Sequence, residues 1–453
     1  MSRAEEPANL GLADDVLARA LRAGASEAEV LVMTDDSQLT RFANSEIHQN
    51  VAESNVAVNL RFVHGRRMAT ASTGRTDDAG LAALVERAAA IAPTVEELED
   101  WGGLPEPDPD GGTSGLAAAY STATAEASPE LRAEGVRAVI AAADDKGVLA
   151  YGSFSTSREG MAVANSAGIR ISEERTAAQL LTVHMSPDGG TGYAERAATD
   201  VTNIDPAAIC REAADRARAT DHAISVPPGD YPVILEPYAV VDILDMLGYV
   251  GFSALAVQEG RSFMEPGRRV GSDLVTIVDD AANQSGLPMS FDYEGVRKEP
   301  VTMIERGICR DVVYDAQTAA RAGRRSTGHG LPAPNSYGPF PLNMVMTNGD
   351  KTREELIGSI DRGLLVTRFW YTNPVHPKLA IITGMTRDGT FLIEGGKIVA
   401  PVKNLRFTQS YLDALAGVSA VSRDLRTLRG SFGAVVVPML RVDSWTFTGA
   451  TEH

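Results

Sequence analysis

The spacing of hydrophobic and polar positions changes several times along this chain. Apolar residues three and four positions apart predict a helix over residues 11–23, because that spacing places them on one helical face. Alternating apolar positions further on are typical of strands with one buried side. The first hundred residues therefore predict a helix, a strand, a hairpin and a second helix, over 11–23, 27–34, 55–72 and 77–92, with the segment 37–43 between the strand and the hairpin.

The same order of elements returns after a stretch rich in proline, glycine and aspartate, which we predict to be a linker or long loop over 101–127. The tripeptide Ala164-Asn165-Ser166 repeats Ala43-Asn44-Ser45. We therefore predict two related helix-plus-sheet units, although a shared tripeptide could also arise by chance. Their ranges are 1–100 and 128–230. The second contains helices over 128–144 and 203–219, a strand over 148–155 followed by the segment 160–166, and an extended pair over 169–186.

Strand-like runs separated by glycine-bearing turns dominate the chain from residue 231 onward. A buried strand, a proline and a helix over 238–258 open this region, and a short helix over 352–360 begins with a capping box of Thr352 and Glu355. We predict a β-rich, barrel-like domain over 231–453. The fold class is then α+β, with a duplicated helix-plus-sheet N-terminal half followed by this barrel-like domain.

Composition and charge narrow the possible functions. A length of 453 residues with 44% hydrophobic and 23% charged residues is typical of a globular protein of two or three domains. The net charge of −18 argues against nucleic-acid binding, and long apolar runs that could span a membrane are missing. Residues 1–7 lack the apolar core of a secretory signal, so we expect a cytoplasmic location with Cys210 and Cys309 as buried thiols.

Few residues form a pattern that suggests a catalytic or metal-binding site. Asp242 and Asp245 are three positions apart on one predicted helix and could hold magnesium, but a solvated or arginine-paired couple is the plainer interpretation. Asp279 and Asp280 end a predicted strand, where their side chains would form a turn. His329 lies in a glycine-rich loop, and positioning that loop is a more ordinary role for it than acting as a lone base.

Several segments in fixed order resemble one family of peptidases. They are Thr390-Phe-Leu-Ile-Glu-Gly-Gly-Lys397, Gly396-Lys-Ile-Val-Ala-Pro-Val-Lys-Asn404 and Asn343-Met-Val-Met-Thr-Asn-Gly-Asp350. With the strand-proline-helix unit that begins at Tyr231, they resemble the TldD/PmbA family over nearly the whole chain, from about residue 12 to about residue 445.

The resemblance also identifies zinc-site residues of the family that this chain lacks. In the family's catalytic members the strand-proline-helix unit carries His-Glu-x-x-x-His, in which two histidines bind zinc and the glutamate acts as the base. The matching positions here are Asp245, Met246 and Val250, and Arg387 lies at or near the place of a cysteine that supplies a further zinc ligand. The chain therefore resembles the family's metal-free, TldE-type members, and we expect no catalytic residue, metal or cofactor of its own.

The family resemblance implies a non-catalytic subunit of a cytoplasmic zinc peptidase complex that processes unfolded or leader peptides. Its partner would be a TldD-like chain that carries His-Glu-x-x-x-His and holds the zinc, or a second copy of itself. One alternative is a stand-alone homodimer that binds peptides or proteins without cutting them. Another is hydrolysis at an unrecognised site that involves Asp242, Asp245 or His329.

Overall fold

The computed structural model describes residues 8–108 and 116–450. The N-terminal heptapeptide considered for a signal, the terminal His453 and part of the predicted linker lie outside these residues. The helices are α1 Ala8–Arg22, α2 Asp78–Ile91, α3 Thr122–Ala125, α4 Pro129–Asp145, α5 Pro206–Ala219, α6 Pro237–Val250, α7 Ala254–Gln258, α8 Ala316–Arg321, α9 Arg353–Gly358 and α10 Tyr411–Ala416. Across these ranges, no helix combines the length and apolar character that a membrane crossing requires.

The described residues form strands in both halves of the chain. They are β1 Glu27–Ala43, β2 Glu46–His64, β3 Arg67–Thr73, β4 Leu149–Asn165, β5 Arg170–Met185, β6 Thr191–Ala198, β7 Gly229–Leu235, β8 Ile277–Asp279, β9 Val301–Glu305, β10 Ile308–Cys309, β11 Asn343–Met346, β12 Arg362–His376, β13 Ile381–Glu394, β14 Lys397–Pro401, β15 Leu405–Ser410, β16 Val418–Val421, β17 Arg426–Arg429, β18 Ala434–Val437 and β19 Leu440–Ala450.

The N-terminal half is one antiparallel sheet with the strand order β3-β2-β1-β4-β5-β6. Each half of the sheet has the order helix, three strands, helix, and the two halves meet where β1 pairs with β4. The repeated tripeptides occupy equivalent places. Ser45 Oγ accepts a hydrogen bond from Ala150 N at 3.1 Å, and Ser166 Oγ accepts one from Ala28 N at 3.0 Å. This symmetry agrees with the predicted duplication, and the two units share one sheet.

Local signals start the helices where the sequence predicts. Ser128 Oγ accepts a hydrogen bond from Leu131 N at 3.2 Å, with a proline at the first position of α4. The predicted capping box of α9 is also present, because Glu355 N donates to Thr352 Oγ1 and Thr352 N donates to Glu355 Oε2.

The C-terminal half contains the predicted barrel. Strands β12, β7, β19, β15 and β13 pair in that order, and β13 pairs back with β12 to close five strands. Phe369, Phe407, Tyr411 and Trp445 are buried and stack with one another. Closure leaves these apolar faces inside and satisfies the edges of the sheet. A second sheet has the order β10-β9-β8-β11-β18-β17.

The predicted helix over 238–258 is wrong as a single element. It ends at Val250, and α7 begins at Ala254. A Cβ on Gly251 would lie 2.1 Å from the ring of Phe263. The next residues are extended, because Phe252 O accepts a hydrogen bond from Val313 N at 3.0 Å. Tertiary packing therefore interrupts a continuous helical pattern. The predicted extended pair over 169–186 is likewise the single long strand β5.

Candidate functional site

Helix α6 lies between the two halves of the molecule and is buried on nearly all sides. Pro237 is its first residue, and the carboxylate of Glu236, just before it, is buried. Arg216 of α5 and Arg353 of α9 both form ion pairs with that carboxylate, the latter at 3.1 Å. The start of α6 is thus attached to both halves of the chain.

A second polar network holds the first turn of α6. Tyr238 OH donates to Glu212 Oε1 at 2.9 Å, and Arg426 Nη1 donates to the same oxygen at 2.6 Å. Burial alone would raise the pKa of Glu212, but the charges of Arg426 and Arg216 hold this pKa at about 2. The carboxylate is therefore ionised at neutral pH and stabilises this junction as a charged group.

Asp242 has neither of the environments considered for it from the sequence. Its carboxylate accepts hydrogen bonds from Thr372 Oγ1 at 2.6 Å and from Tyr411 OH at 2.7 Å. Burial raises the pKa of Asp242 to about 6, although both hydroxyl groups oppose that shift. The interpretation as a solvated or arginine-paired residue is wrong for Asp242, because its partners are neutral hydroxyl groups.

Asp245, at the first degenerate zinc position, is 3% exposed. Its Oδ2 accepts a hydrogen bond from Ser431 N at 2.6 Å, whereas Oδ1 has no hydrogen-bond partner among the described residues. Oδ1 packs against Gly430, where a Cβ would lie 2.4 Å from it. Burial raises the pKa of Asp245 to about 7, so a large fraction of this side chain is protonated at neutral pH.

The other two degenerate positions on α6 belong to the hydrophobic core. Val250 is 1% exposed within the largest core cluster, and Met246 packs against the same cluster. A valine side chain cannot bind a metal, and one half-protonated carboxylate with a partly buried thioether is not a zinc donor set. These residues do not fit the family's zinc ion. The described ranges contain no group of three or more histidine, cysteine, aspartate or glutamate side chains arranged for a metal ion.

Arg387, at or near the place of the family's cysteine, lies on the outer face of the barrel. Its guanidinium is 4.9 Å from the ring centroid of Trp370 and 3.9 Å from a carboxylate oxygen of Asp388. Arg368 contacts the other side of this cluster, 4.9 Å from the same ring and 2.6 Å from Asp388. The contacts of Arg387 are thus with β12 and β13, whereas Asp245 is held by the β17–β18 turn.

His329 lies at the centre of a buried polar cluster. Its Nε2 is 2.9 Å from Asp279 Oδ1, and its Nδ1 is 3.0 Å from Thr327 Oγ1. Asp279 also accepts a hydrogen bond from Asn343 N at 2.7 Å and lies 3.6 Å from Lys298 Nζ. Burial lowers the pKa of His329, and the imidazole is inaccessible to a substrate. This geometry supports the loop-positioning role.

The two neighbouring aspartates after β8 have different roles. Asp280 Oδ1 accepts a hydrogen bond from Ala282 N at 3.1 Å, which is the turn predicted for it. Asp279 is not a turn former, because it is the buried partner of His329. Cys210 and Cys309 are both free and buried, as predicted. Sequence reasoning missed the Glu212 network. Glu212 and Arg216 are four positions apart on α5, but Tyr238 and Arg426 come from two other segments that no local spacing joins to α5.

These features define a class of protein in which a duplicated antiparallel sheet is joined to a closed five-stranded barrel through a strand-proline-helix unit. Residues 228–449 match the family model described as the PmbA/TldA metallopeptidase C-terminal domain, and residues 28–92 match domain 1 of the same family. The chain belongs to the PmbA/TldD metallopeptidase family.

Individual relatives agree with this assignment. A metalloprotease TldD homolog of Buchnera aphidicola subsp. Acyrthosiphon pisum is 32% identical over 171 residues, 36% of this chain and 34% of that protein. A metalloprotease of Methanocaldococcus jannaschii is 29% identical over 230 residues, 50% of each chain. The matched segments thus span 34% to 50% of these relatives' own length. The crystal structure of TldE from Thermococcus kodakarensis shares the fold, with a TM-score of 0.87, 22% identity and coverage of 97% of this chain and 100% of that one.

Proposed function

We propose that this chain is the non-catalytic subunit of a zinc-dependent, TldD/TldE-type peptidase complex that processes unfolded or leader peptides in the cytoplasm. The observation that carries the proposal is the packing of α6. Met246 and Val250, at two of the family's zinc-site positions, pack into or against the core, and the third position, Asp245, is hydrogen bonded to Ser431 N. Zinc and the catalytic base would then come from a partner chain with His-Glu-x-x-x-His.

The long strand β2 supports a role in binding an extended chain. Residues 46–63 of β2 pair with β1 on one side, except His48 at a bulge, but β3 covers only residues 58–64 on the other side. Within the described residues, the backbone of 46–56 has no strand on its outer edge, and most of these side chains are exposed. An unpaired edge of this length can accept an added strand through main-chain hydrogen bonds, which tolerates many side-chain sequences.

The same edge favours one alternative function. Two copies of this chain could pair along residues 46–56 and form a stand-alone homodimer that binds peptides or a protein without cutting them. A catalytic partner is not needed in that case. The two functions differ in whether the chain activates a zinc-containing relative.

The test is zinc content and peptide hydrolysis for this chain alone and after mixing with a TldD-type chain from the same organism. We expect near-zero zinc and no hydrolysis of an unfolded peptide by the chain alone, and hydrolysis by the mixture that exceeds that of the partner alone. About one zinc per chain with chelator-sensitive hydrolysis would overturn the proposal, because a real zinc site binds tightly enough to survive purification. Peptide binding without any effect on the catalytic chain would favour the homodimer.

The chain purified without a catalytic partner also tests whether this chain hydrolyses peptides by itself. If activity is found there, Asp242→Asn, Asp245→Asn and His329→Gln should each be measured in the same assay. Loss of activity in one of them, with an unchanged unfolding temperature, would support a site of this chain's own. Equal activity in all three would indicate a contaminating peptidase.

A further inference from the structure

A cavity of about 710 Å³ lies on the outer face of the barrel, apart from α6. Strands β12, β13, β15 and β19 form its floor, and the turn before β6 contributes Gly189 to its rim. Arg387 and Arg406 line it from two adjacent strands, together with Met385 and Tyr371. The cavity therefore combines two cations with one aromatic and one thioether side chain, and its remaining lining is threonine, asparagine and glycine.

The charge of this cavity is opposite to that of the chain. The net charge is −18, yet the lining contains two arginines and neither aspartate nor glutamate. Asp388, beside Arg387, is buried and already bonded to Arg368 at 2.6 Å. Arg406 is exposed between two buried neighbours on β15 and has no ion-pair partner in residues 8–108 and 116–450. The pocket lining thus contains two guanidinium groups, of which Arg387 has only a long 3.9 Å ion pair with Asp388, a carboxylate that Arg368 already binds more closely.

The aromatic residues beside the arginines are held in a fixed arrangement. Arg387 lies over Trp370, and the next residue, Tyr371, is 73% exposed. Tyr371 has a left-handed backbone with φ of 53° at an irregularity of β12, a conformation that costs a residue with a side chain roughly 1–3 kcal/mol. Strain of this kind in an exposed aromatic residue at a cavity rim is typical of a ligand-binding position.

We infer that this arginine pocket, defined by Arg387, Arg406, Tyr371 and Met385, binds the C-terminal carboxylate of a peptide. Two guanidinium groups match a carboxylate through charge-assisted hydrogen bonds, and the cavity leaves room for the last side chain. The inference deepens the proposed function and rests on it, because it assumes that this chain handles peptides. It would give the complex a way to hold one end of its substrate away from the zinc.

The test uses the full chain and three short probes in calorimetric titrations at low salt. The probes are N-acetyl-trialanine with a free C-terminal carboxylate, its C-terminal amide, and an N-acetyl tripeptide amide with a glutamate side chain. We expect the free acid to bind at least about tenfold more tightly than the amide, a factor equivalent to about 1.4 kcal/mol. Higher salt should weaken this binding, because the pocket is open to solvent.

Substitutions of the pocket arginines test whether the free acid binds in the pocket. Arg406→Gln and Arg387→Gln should each weaken free-acid binding about tenfold without changing the weak binding of the amide. Arg406→Lys should recover part of the affinity. Arg362→Gln is the matched control, because that arginine is on the same barrel, 62% exposed and outside the cavity lining. It should bind all probes like the unaltered chain.

Each other outcome counts against the inference. Equal binding of acid and amide, no binding of any probe, or unchanged affinity in both glutamine variants would refute a carboxylate site. Tighter binding of the glutamate probe, or of inorganic phosphate, would refute the assignment to a peptide C-terminus. A carboxylate preference that depends on both arginines, found without activation of a catalytic chain, would retain the pocket and refute the proposed function.

Discussion

Replacing Asp245 by asparagine is expected to stabilise the protein at alkaline pH and to change little at acid pH. The carboxylate is 3% exposed, and burial raises its pKa from 3.8 to about 7. Between these two values the unfolded chain releases the proton and the folded chain keeps it, so rising pH favours unfolding. Asparagine has nearly the same shape, and its side-chain oxygen can still accept the hydrogen bond from Ser431 N.

The size of the effect follows from the difference between the two pKa values. One pKa unit corresponds to about 1.4 kcal/mol, so ionisation of Asp245 costs the folded state up to about 4 kcal/mol above about pH 8. At about pH 4 the carboxyl group is neutral in the folded chain and about half ionised in the unfolded chain, so acid and amide then differ by less than about 1 kcal/mol. Asp242 has a raised pKa as well, but it is present in both proteins and cancels in the comparison to first order.

Urea unfolding followed by circular dichroism at about pH 4 and about pH 8.5 measures this difference. The free energy of unfolding of Asp245→Asn should exceed that of the unaltered chain by about 4 kcal/mol at the higher pH and by less than about 1 kcal/mol at the lower pH. Asp350→Asn is the control for loss of a surface charge, because Asp350 is 84% exposed. The reasoning is refuted if the two proteins differ by the same amount at both pH values.

Three further changes test other parts of the structure. Gly430→Ala should cost about 1–3 kcal/mol of unfolding free energy, because its Cβ would lie 2.4 Å from Asp245 Oδ1. Most of that cost should disappear in an Asp245→Ala background, and strictly additive costs would argue against the contact. Glu212→Gln should destabilise the chain by about 3 kcal/mol at neutral pH. Because the pKa of Glu212 is held at about 2, its stabilising effect exists above its ordinary value of 4.5 and should vanish in unfolding curves as the pH falls through about 2. Trp445→Ala should cost about 4 kcal/mol in thermal or urea unfolding, and a loss below about 1 kcal/mol would mean that the barrel interior is not closely packed.

Local sequence signals predicted the elements whose causes lie within a few residues. The helical spacing of 11–23 corresponds to α1, the alternation of 55–72 corresponds to the β2–β3 hairpin, and Thr352 and Glu355 cap α9 as expected. The break after Val250 was not predictable, because its cause is the ring of Phe263 and a bond to a strand-like segment about sixty residues away.

The environment of the α6 carboxylates shows the same limit. The sequence placed Asp242 and Asp245 on one helix, three positions apart. Their partners, Thr372 and Ser431, come from segments 130 and 186 positions away, so nothing local could distinguish a solvated pair from one half-buried and one buried acid with raised pKa values. The arginine pocket could not be predicted from the sequence for a similar reason, because Arg387 and Arg406 become neighbours only when β13 and β15 pair.

The amino-acid sequence by itself determined the fold class, the duplicated N-terminal half and the absence of histidine or cysteine at the family's zinc positions. It could do so because periodicity, capping and ligand chemistry are properties of residue types at short spacing. Only the tertiary structure decided which carboxylates are buried and protonated, where α6 ends, and which cations share a cavity. Burial and pairing depend on segments that meet after the chain has folded, and the free energy of a charged group depends on those surroundings.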